Sequence, residues 1–261
     1  MAKSERGERQ SGEKAGGGSG MTRLYYILGA VGVLGIGILG YSVGSSAMGS
    51  AATEPVELQV DGDRELVEIA EGMVQGNPDA PVSIVEFGDY QCPGCGSFAR
   101  QVKPMINLNY IQAGQANFVF YDFPLTQIHS NAFFAARAAR CAGDQEAYWP
   151  YHDALFANQA DWASSGSPAG KYVDYAEELG LDTDAFESCL KSDRHAATVT
   201  ANMLLGERLG VNGTPTVMIS EGRGMANRLA RFDFATIRSE VERILAQDDD
   251  EASGSDTGGR D

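Results

Sequence analysis

The densest chemistry in this chain is Cys92-Pro93-Gly94-Cys95, two thiols separated by two residues. Thiols at that spacing exchange electrons through a reversible disulfide, supply half of a metal site, or form an inert bond. A structural zinc site takes four Cys or His ligands, commonly including a second close pair. Cys141 and Cys189 instead stand apart, and none of His129, His152 and His195 is close in sequence to either. The pattern therefore favours a redox dithiol with no metal, and the histidines read as packing or capping residues. Glu86, six positions before Cys92, falls in an apolar run, where a carboxylate is costly unless it keeps its proton. That property suits an acid/base; the other reading is a solvated edge position.

The elements that position these groups follow from periodicity. Pro81 to Phe87 is a short apolar, β-branched run and reads as a buried strand. After the cysteines, Phe98, Val102, Met105 and Ile106 recur at helical spacing, with a kink expected at Pro104 and a stop at Gly114. Ala116 to Phe123 is a second strand, so the three elements form a βαβ unit with a parallel pair. The cysteine pair then sits at a strand-to-helix junction, where unpaired N–H groups and the macrodipole favour negative charge. Cys92 gains this as the attacking thiolate; Cys95, one turn in, is the shielded resolving thiol. Pro93 and Gly94 form the turn, proline losing nothing at a first helical position.

From Ser130 to about Leu209 the pattern is helical throughout, a block of five helices inserted at about 129–209. Sheet character returns at Thr216 to Ile219, with a partner near Arg228 to Phe232, before a last helix from Phe234 to about Ala246. The fold class is α/β, with a folded body over 64–246. Cys141 and Cys189 both lie in the helical block. A structural disulfide between them would stabilise by roughly 4 kcal/mol in the chain-entropy model; two buried thiols are the alternative. Tyr148, Trp149, Tyr151 and Trp162 read as the block's core.

The ends are of another kind. Residues 1–23 are a disordered tail by composition, and residues 24–43 are uncharged and close to the roughly 20 needed to span a bilayer. Basic residues precede this stretch and acidic ones follow it, so the N-terminus is expected in the cytoplasm and the body outside. Cleavage near Ser45-Ser46-Ala47, with secretion, is the alternative. Residues 44–63 read as a linker and 247–261 as a disordered acidic tail. A net charge of -16 makes nucleic acid an improbable partner. With only five lysines, the acidic surface also suits high salt, so a halophilic source is one expectation and an ordinary acidic surface the other.

The segment from Ala80 to Cys95 resembles the active-site segment of the DsbA-like branch of the thioredoxin superfamily. Asp122 to Leu125 with His129, the alanine-rich helix to Cys141, and Gly210 to Thr216 resemble later segments in the same order. The resemblance implies a thioredoxin fold with an inserted helical subdomain and a thiol:disulfide oxidoreductase that introduces disulfides into exported polypeptides bearing cysteine thiols. It implies no organic or metal cofactor, and reoxidation by a membrane quinone-linked partner. By position, Thr214-Pro215 matches the family's cis-proline loop, which offers backbone hydrogen bonds to an extended substrate. Glu86 matches a buried acid beneath the resolving cysteine. A reductase or isomerase of the same fold, or a metal-carrying thioredoxin-like module, remains open, because Pro-Gly alone does not set redox direction.

Overall fold

β-Branched and aromatic residues fill Val82–Gly88 (β2) and Ala116–Asp122 (β3), which pair in parallel with Ile84 opposite Phe118 and Glu86 opposite Phe120. In the computed structural model, which describes residues 51–222 and 224–255, the sheet order is β1-β3-β2-β4-β5. Met73–Gln75 is β1, Thr216–Glu221 β4 and Asn227–Arg228 β5, each antiparallel to its neighbour. The centre strand, β2, is buried at Val82, Ile84, Glu86 and Phe87. The expected tail 1–23 and span 24–43 lie outside the described residues. No described helix is long and apolar enough to cross a membrane.

The crossover from β2 to β3 runs through α2 (Pro93–Gln101), α3 (Lys103–Ile106) and a π-helical turn over Asn107–Ile111; Asp63–Ile69 forms α1 ahead of the sheet. Pro104 has no N–H to offer the Arg100 carbonyl, so the first helix ends and the next begins at Val102, whose carbonyl accepts from Met105 and Ile106. The helical insertion comprises α4 (Ala132–Gly143), α5 (Tyr148–Ala157), α6 (Gln159–Trp162), α7 (Ala169–Glu178), α8 (Thr183–Lys191) and α9 (Ala196–Arg208). Ala132 to Ala142 of α4 are all buried, which explains the alanines: small side chains let α5, α8 and α9 close around one helix. Cys141 and Cys189 are bonded, joining α4 to α8 with their Cα atoms 5.8 Å apart. The chain closes with α10 (Phe234–Ser255), which packs on β2 and β4 through buried Ile237, Val241 and Ile244.

Two buried arginines of α4 hold the insertion in place. Arg140 donates Nε to Asp122 at 2.6 Å and Nη2 to the Glu71 carbonyl at 2.6 Å, tying the helix to the end of β3 and the approach to β1. Asp122 also accepts from Asn202 of α9 at 3.2 Å. Arg137 donates to the carbonyls of Ala52, Leu190, Ser192 and Arg194, with the Asp193 charge nearby. A buried guanidinium that must find acceptors therefore captures the chain at residue 52.

That capture corrects the expected linker over its described part, 51–63; residues 44–50 lie outside the described residues. Ala51, Ala52 and Val56 pack on the core, and the Ala52 and Val56 N–H groups donate to Asp193 and Thr200. The expected acidic tail also shortens, because α10 continues to Ser255; a helix already nucleated by packed turns adds one hydrogen bond per further residue without needing an apolar face. The strand expected at Arg228 to Phe232 is two residues at Asn227–Arg228. The short elements β1, α1 and α6 have too few residues to show a period. Trp149 is not insertion core alone: its indole N–H reaches the Val74 carbonyl at 3.0 Å and its ring meets Phe118 at 5.8 Å, where block and sheet join.

Replacing Arg137 with Met keeps the stem and strands its acceptor carbonyls. We expect a loss of about 3 kcal/mol in urea unfolding, at roughly 1 to 3 kcal/mol per unsatisfied buried group. Limited proteolysis should cut the 51–62 segment faster.

Candidate active site

Polypeptide leaving β2 at Gly88 turns through Asp89 to Gln91 and enters α2 with Cys92 as the capping residue and Pro93 first in the helix. Both Cys92 and Cys95 are free thiols. Cys92 is 9% exposed and Cys95 is sealed. Across from them Thr214-Pro215 forms a cis peptide ahead of β4, and the Cys92 thiol lies 3.4 Å from the Thr214 carbonyl. A Cβ on Gly94 would stand 3.1 Å from Pro215 Cδ and 3.6 Å from Cys92 Sγ, so the absence of a side chain there lets the two loops approach.

The two thiols have opposite surroundings. Cys92 is lowered to about 5, chiefly by the Cys95 thiol. Burial opposes this, while the Thr214 hydroxyl and the N–H groups of Gly94 and Cys95 reinforce it. The Thr214 carbonyl, which only accepts, favours the protonated thiol, but these donors outweigh it. Cys95 goes well above its ordinary value, first because it is buried and then because Cys92 and Glu86 put negative charge nearby; the Asp89 N–H, 3.4 Å from its sulfur, pulls the other way. A single negative charge therefore settles on Cys92.

Glu86 points from the centre strand into the region beneath Cys95, 1% exposed, with neither carboxylate oxygen hydrogen-bonded in this geometry. Burial raises it to about 8, moderated by the Lys103 ammonium. Lys103 is buried on α3, 2.9 Å from Asp153 of α5 and 4.9 Å above the Trp149 ring. A cavity of about 310 Å³ lined by Lys103, Asp153, Arg100 and Asn107 lies at that pair. Beneath Tyr90, His152 is buried among Phe120, Trp149 and Phe156 and pushed down to about 4 by burial, with Nδ1 2.9 Å from Asp153.

Asp89 and the glutamines fix the loop. One Asp89 oxygen accepts from the Gln91 N–H at 2.7 Å; the other takes the Leu125 N–H at 2.8 Å and His129 Nδ1 at 2.7 Å. That carboxylate raises His129, which stays partly exposed beside the dithiol. Gln91 clasps the Asn131 N–H and the Ala163 carbonyl, at 2.8 and 2.7 Å. Gln159 Nε2 holds the carbonyls of Tyr90 and Cys92 at 2.7 and 2.9 Å, and its Oε1 would be 2.5 Å from a Cβ on Gly96.

Cys92, Cys95, Glu86, Pro93, Gly94, Thr214 and Pro215 thus converge, whereas Cys141 and Cys189 lie bonded in the insertion. Sequence reasoning missed Asp89, Lys103 and Gln159, and read His129 and His152 only as packing or capping residues. Lys103 had a signal, a lysine on the helical stripe of Phe98, Val102 and Ile106; Gln159 had none, because its helix is a single turn.

Residues 68–233 match the protein family described as Thioredoxin. Disulfide bond formation protein D of Bacillus subtilis is 27% identical over 183 residues, covering 66% of this chain and 76% of that protein. The crystal structure of oxidised BdbD from Bacillus subtilis superposes with a TM-score of 0.59 at 26% identity, over 66% of this chain and 92% of that one. A Na(+)/H(+) antiporter NhaA 1 of Salinispora arenicola is 35% identical over 180 residues, 68% of this chain, which spans only 26% of that longer protein. With the sheet order, the cysteine pair at the head of α2 and a helical insertion between β3 and β4, the chain belongs to the thioredoxin family, in its DsbA-like branch.

Proposed function

We propose that this chain is a thiol:disulfide oxidoreductase that works as an oxidase, passing the Cys92–Cys95 disulfide to cysteine thiols of exported polypeptides. One observation carries the direction: Cys92 is held near 5 while Cys95 is buried and raised. At neutral pH the reduced site keeps a stabilised thiolate, which favours reduction of the site's disulfide by tens of millivolts. The names of the Bacillus relatives support the same chemistry.

In the first step a substrate thiolate attacks Cys92 Sγ, the Cys92–Cys95 bond breaks, and its electron pair leaves on Cys95. Cys95 lies where an anion is disfavoured, and Glu86, still protonated near neutral pH, gives it a proton. A second substrate thiolate then attacks the substrate sulfur of the mixed disulfide, and Cys92 departs as the low-pKa leaving group. Thr214 and Pro215, beside Cys92, would line the extended substrate, and the Lys103 ammonium, which pulls Glu86 down, would steady its carboxylate once the proton has left. The Cys141–Cys189 bond is of the kind that oxidising compartments preserve, which supports a body outside the cytoplasm behind a 24–43 anchor. Reoxidation by a quinone-linked membrane partner completes the reading.

The test is the thiolate absorbance of the reduced chain against pH, with its glutathione redox equilibrium. We expect a Cys92 transition near pH 5 and a potential well above the about -270 mV of a reducing thioredoxin; a value near that figure would overturn the oxidase direction. Since the unfolded thiol titrates at 9.0 and the folded one at about 5, the thiolate's stabilisation is complete above pH 9 and is lost as pH falls through 5. Reduced protein should therefore gain on oxidised protein in unfolding free energy as pH rises across that window.

Glu86→Gln separates chemistry from stability. The folded carboxyl keeps its proton to about 8 and the unfolded one only to 4.5, so its contribution declines as pH rises through that interval. The variant should flatten this decline and be more stable by a few kcal/mol at pH 8, at about 1.4 kcal/mol per pKa unit. Its attack step with a model thiol should slow by roughly 10²-fold, measured by stopped-flow tryptophan fluorescence.

A further inference from the structure

Away from the dithiol, the insertion gathers four metal-ligating side chains around its disulfide. Cys141 Sγ, Cys189 Sγ and a ring nitrogen of His195 all lie within 4.8 Å of one another. Asp144, one turn beyond Cys141, places Oδ2 3.5 Å from Cys189 Sγ and Oδ1 3.1 Å from His195 Nε2. His195 caps α9 with φ of 67, a left-handed conformation that few non-glycine residues adopt.

We propose that this cluster is a redox-gated zinc site: when a dithiol reductant opens the Cys141–Cys189 bond, Cys141, Cys189, His195 and Asp144 bind one Zn²⁺. In the opening step the dithiol gives two electrons and two protons and becomes a disulfide, and both cysteines become thiols. Zinc then displaces the two thiol protons and takes the place of the proton between His195 and Asp144. Tetrahedral bonds of about 2.3 Å to sulfur and 2.0–2.1 Å to nitrogen and oxygen set neighbouring ligand atoms roughly 3.3 to 3.8 Å apart. The Asp144 contacts are already close to that range, so the main movement is the parting of the two sulfurs. Two helix C-termini favour a cation here, since Cys141 and Cys189 each lie in the last turn of their helices, α4 and α8, where the macrodipole is negative. The N-terminus of α9 at His195 and the Arg194 guanidinium oppose it, and the two thiolates and the Asp144 carboxylate outweigh them. Arg194, 2.8 Å from Asp144 Oδ2, would become an outer partner of the bound carboxylate. The sulfurs are buried, but the His195 and Asp144 side chains are 19% and 31% exposed, which gives the ion an entry path. Zinc would thus keep α4, α8 and α9 joined when the covalent link is lost.

The experiment uses the full chain carrying Cys92→Ser and Cys95→Ser, so that the catalytic pair cannot bind metal. Oxidised protein and protein reduced anaerobically with a phosphine are each given ZnCl₂, desalted and assayed for bound metal, with folding followed by circular dichroism and CoCl₂ as a spectroscopic probe. Expected are one zinc per reduced chain and none per oxidised chain, a thermal midpoint of the reduced chain that rises with zinc, and tetrahedral cobalt bands with thiolate charge transfer. His195→Ala and Asp144→Asn should each weaken zinc binding at least 10-fold. Equal binding by the oxidised chain, no binding by the reduced chain, or affinity unmoved by either substitution would overturn the site. If the reduced chain unfolds and zinc fails to restore it, that also overturns it.

Discussion

A single negative charge has to be placed at the head of α2, and its placement organises the site. Cys92 meets the Cys95 thiol first, then the Thr214 hydroxyl and helix N–H groups; Cys95, three residues later, meets burial, the Cys92 sulfur and the Glu86 carboxyl. The hydrogen bond between the two sulfurs, the burial of one of them and one turn of helix thus convert two chemically identical thiols into a leaving group and a reluctant anion. Burial at Glu86 obeys the same logic. With Cys92 charged nearby, the carboxyl avoids a second charge by keeping its proton, and so becomes the acid that Cys95 needs.

Holding that arrangement consumes much of the polar chemistry around it. Asp89 turns its backbone N–H to the Cys95 sulfur and its carbonyl to the Cys92 N–H, while its carboxylate binds the Leu125 and His129 loop. Gln159 fastens the same turn from the insertion side. The insertion is fastened in its own right by Arg140 on Asp122 and by the disulfide. The active-site turn is therefore braced from the loop after β3 and from the helical block, and of these braces only Asp89, through its backbone N–H, reaches a reacting sulfur. The stability lost at Glu86 is offset by such contacts elsewhere, the usual relation between a working site and its scaffold.

Much of this was legible in the chain because the relevant signals are local. A β-branched run, a Cys-Pro-Gly-Cys turn and an amphipathic stretch are adjacent in sequence, so the strand, the helix start and the roles expected of the two thiols follow from period and position. What stayed hidden depends on contacts across long separations. Nothing near Gln159 shows that its amide meets a turn 67 residues away, and nothing near Ala52 shows that Arg137 will need its carbonyl. His195 escaped for the same reason. Read as too far in sequence from either cysteine, it stands six residues after Cys189, and the disulfide and the Asp144 contact bring it to Cys141 as well. Short elements such as β1 owe their existence to a neighbouring strand and carry no period of their own.

Set side by side, the two cysteine pairs sit in opposite surroundings, of which helix position is one part. Cys92 stands at a helix start, where the thiolate is welcomed; a thiolate that opened its disulfide would expel Cys95 with the help of the Glu86 proton, and Cys92 would then be the good leaving group of the mixed disulfide. Cys141 and Cys189 stand at helix ends, buried, where each thiolate would face the negative pole of its own helix. Opening their bond would leave a thiolate in that field, whereas the Cys92 thiolate is stabilised where it forms. The same negative poles that make thiolates unwelcome make a cation welcome. A field that protects a disulfide from exchange is thus also the field that would hold a metal once the bond is broken.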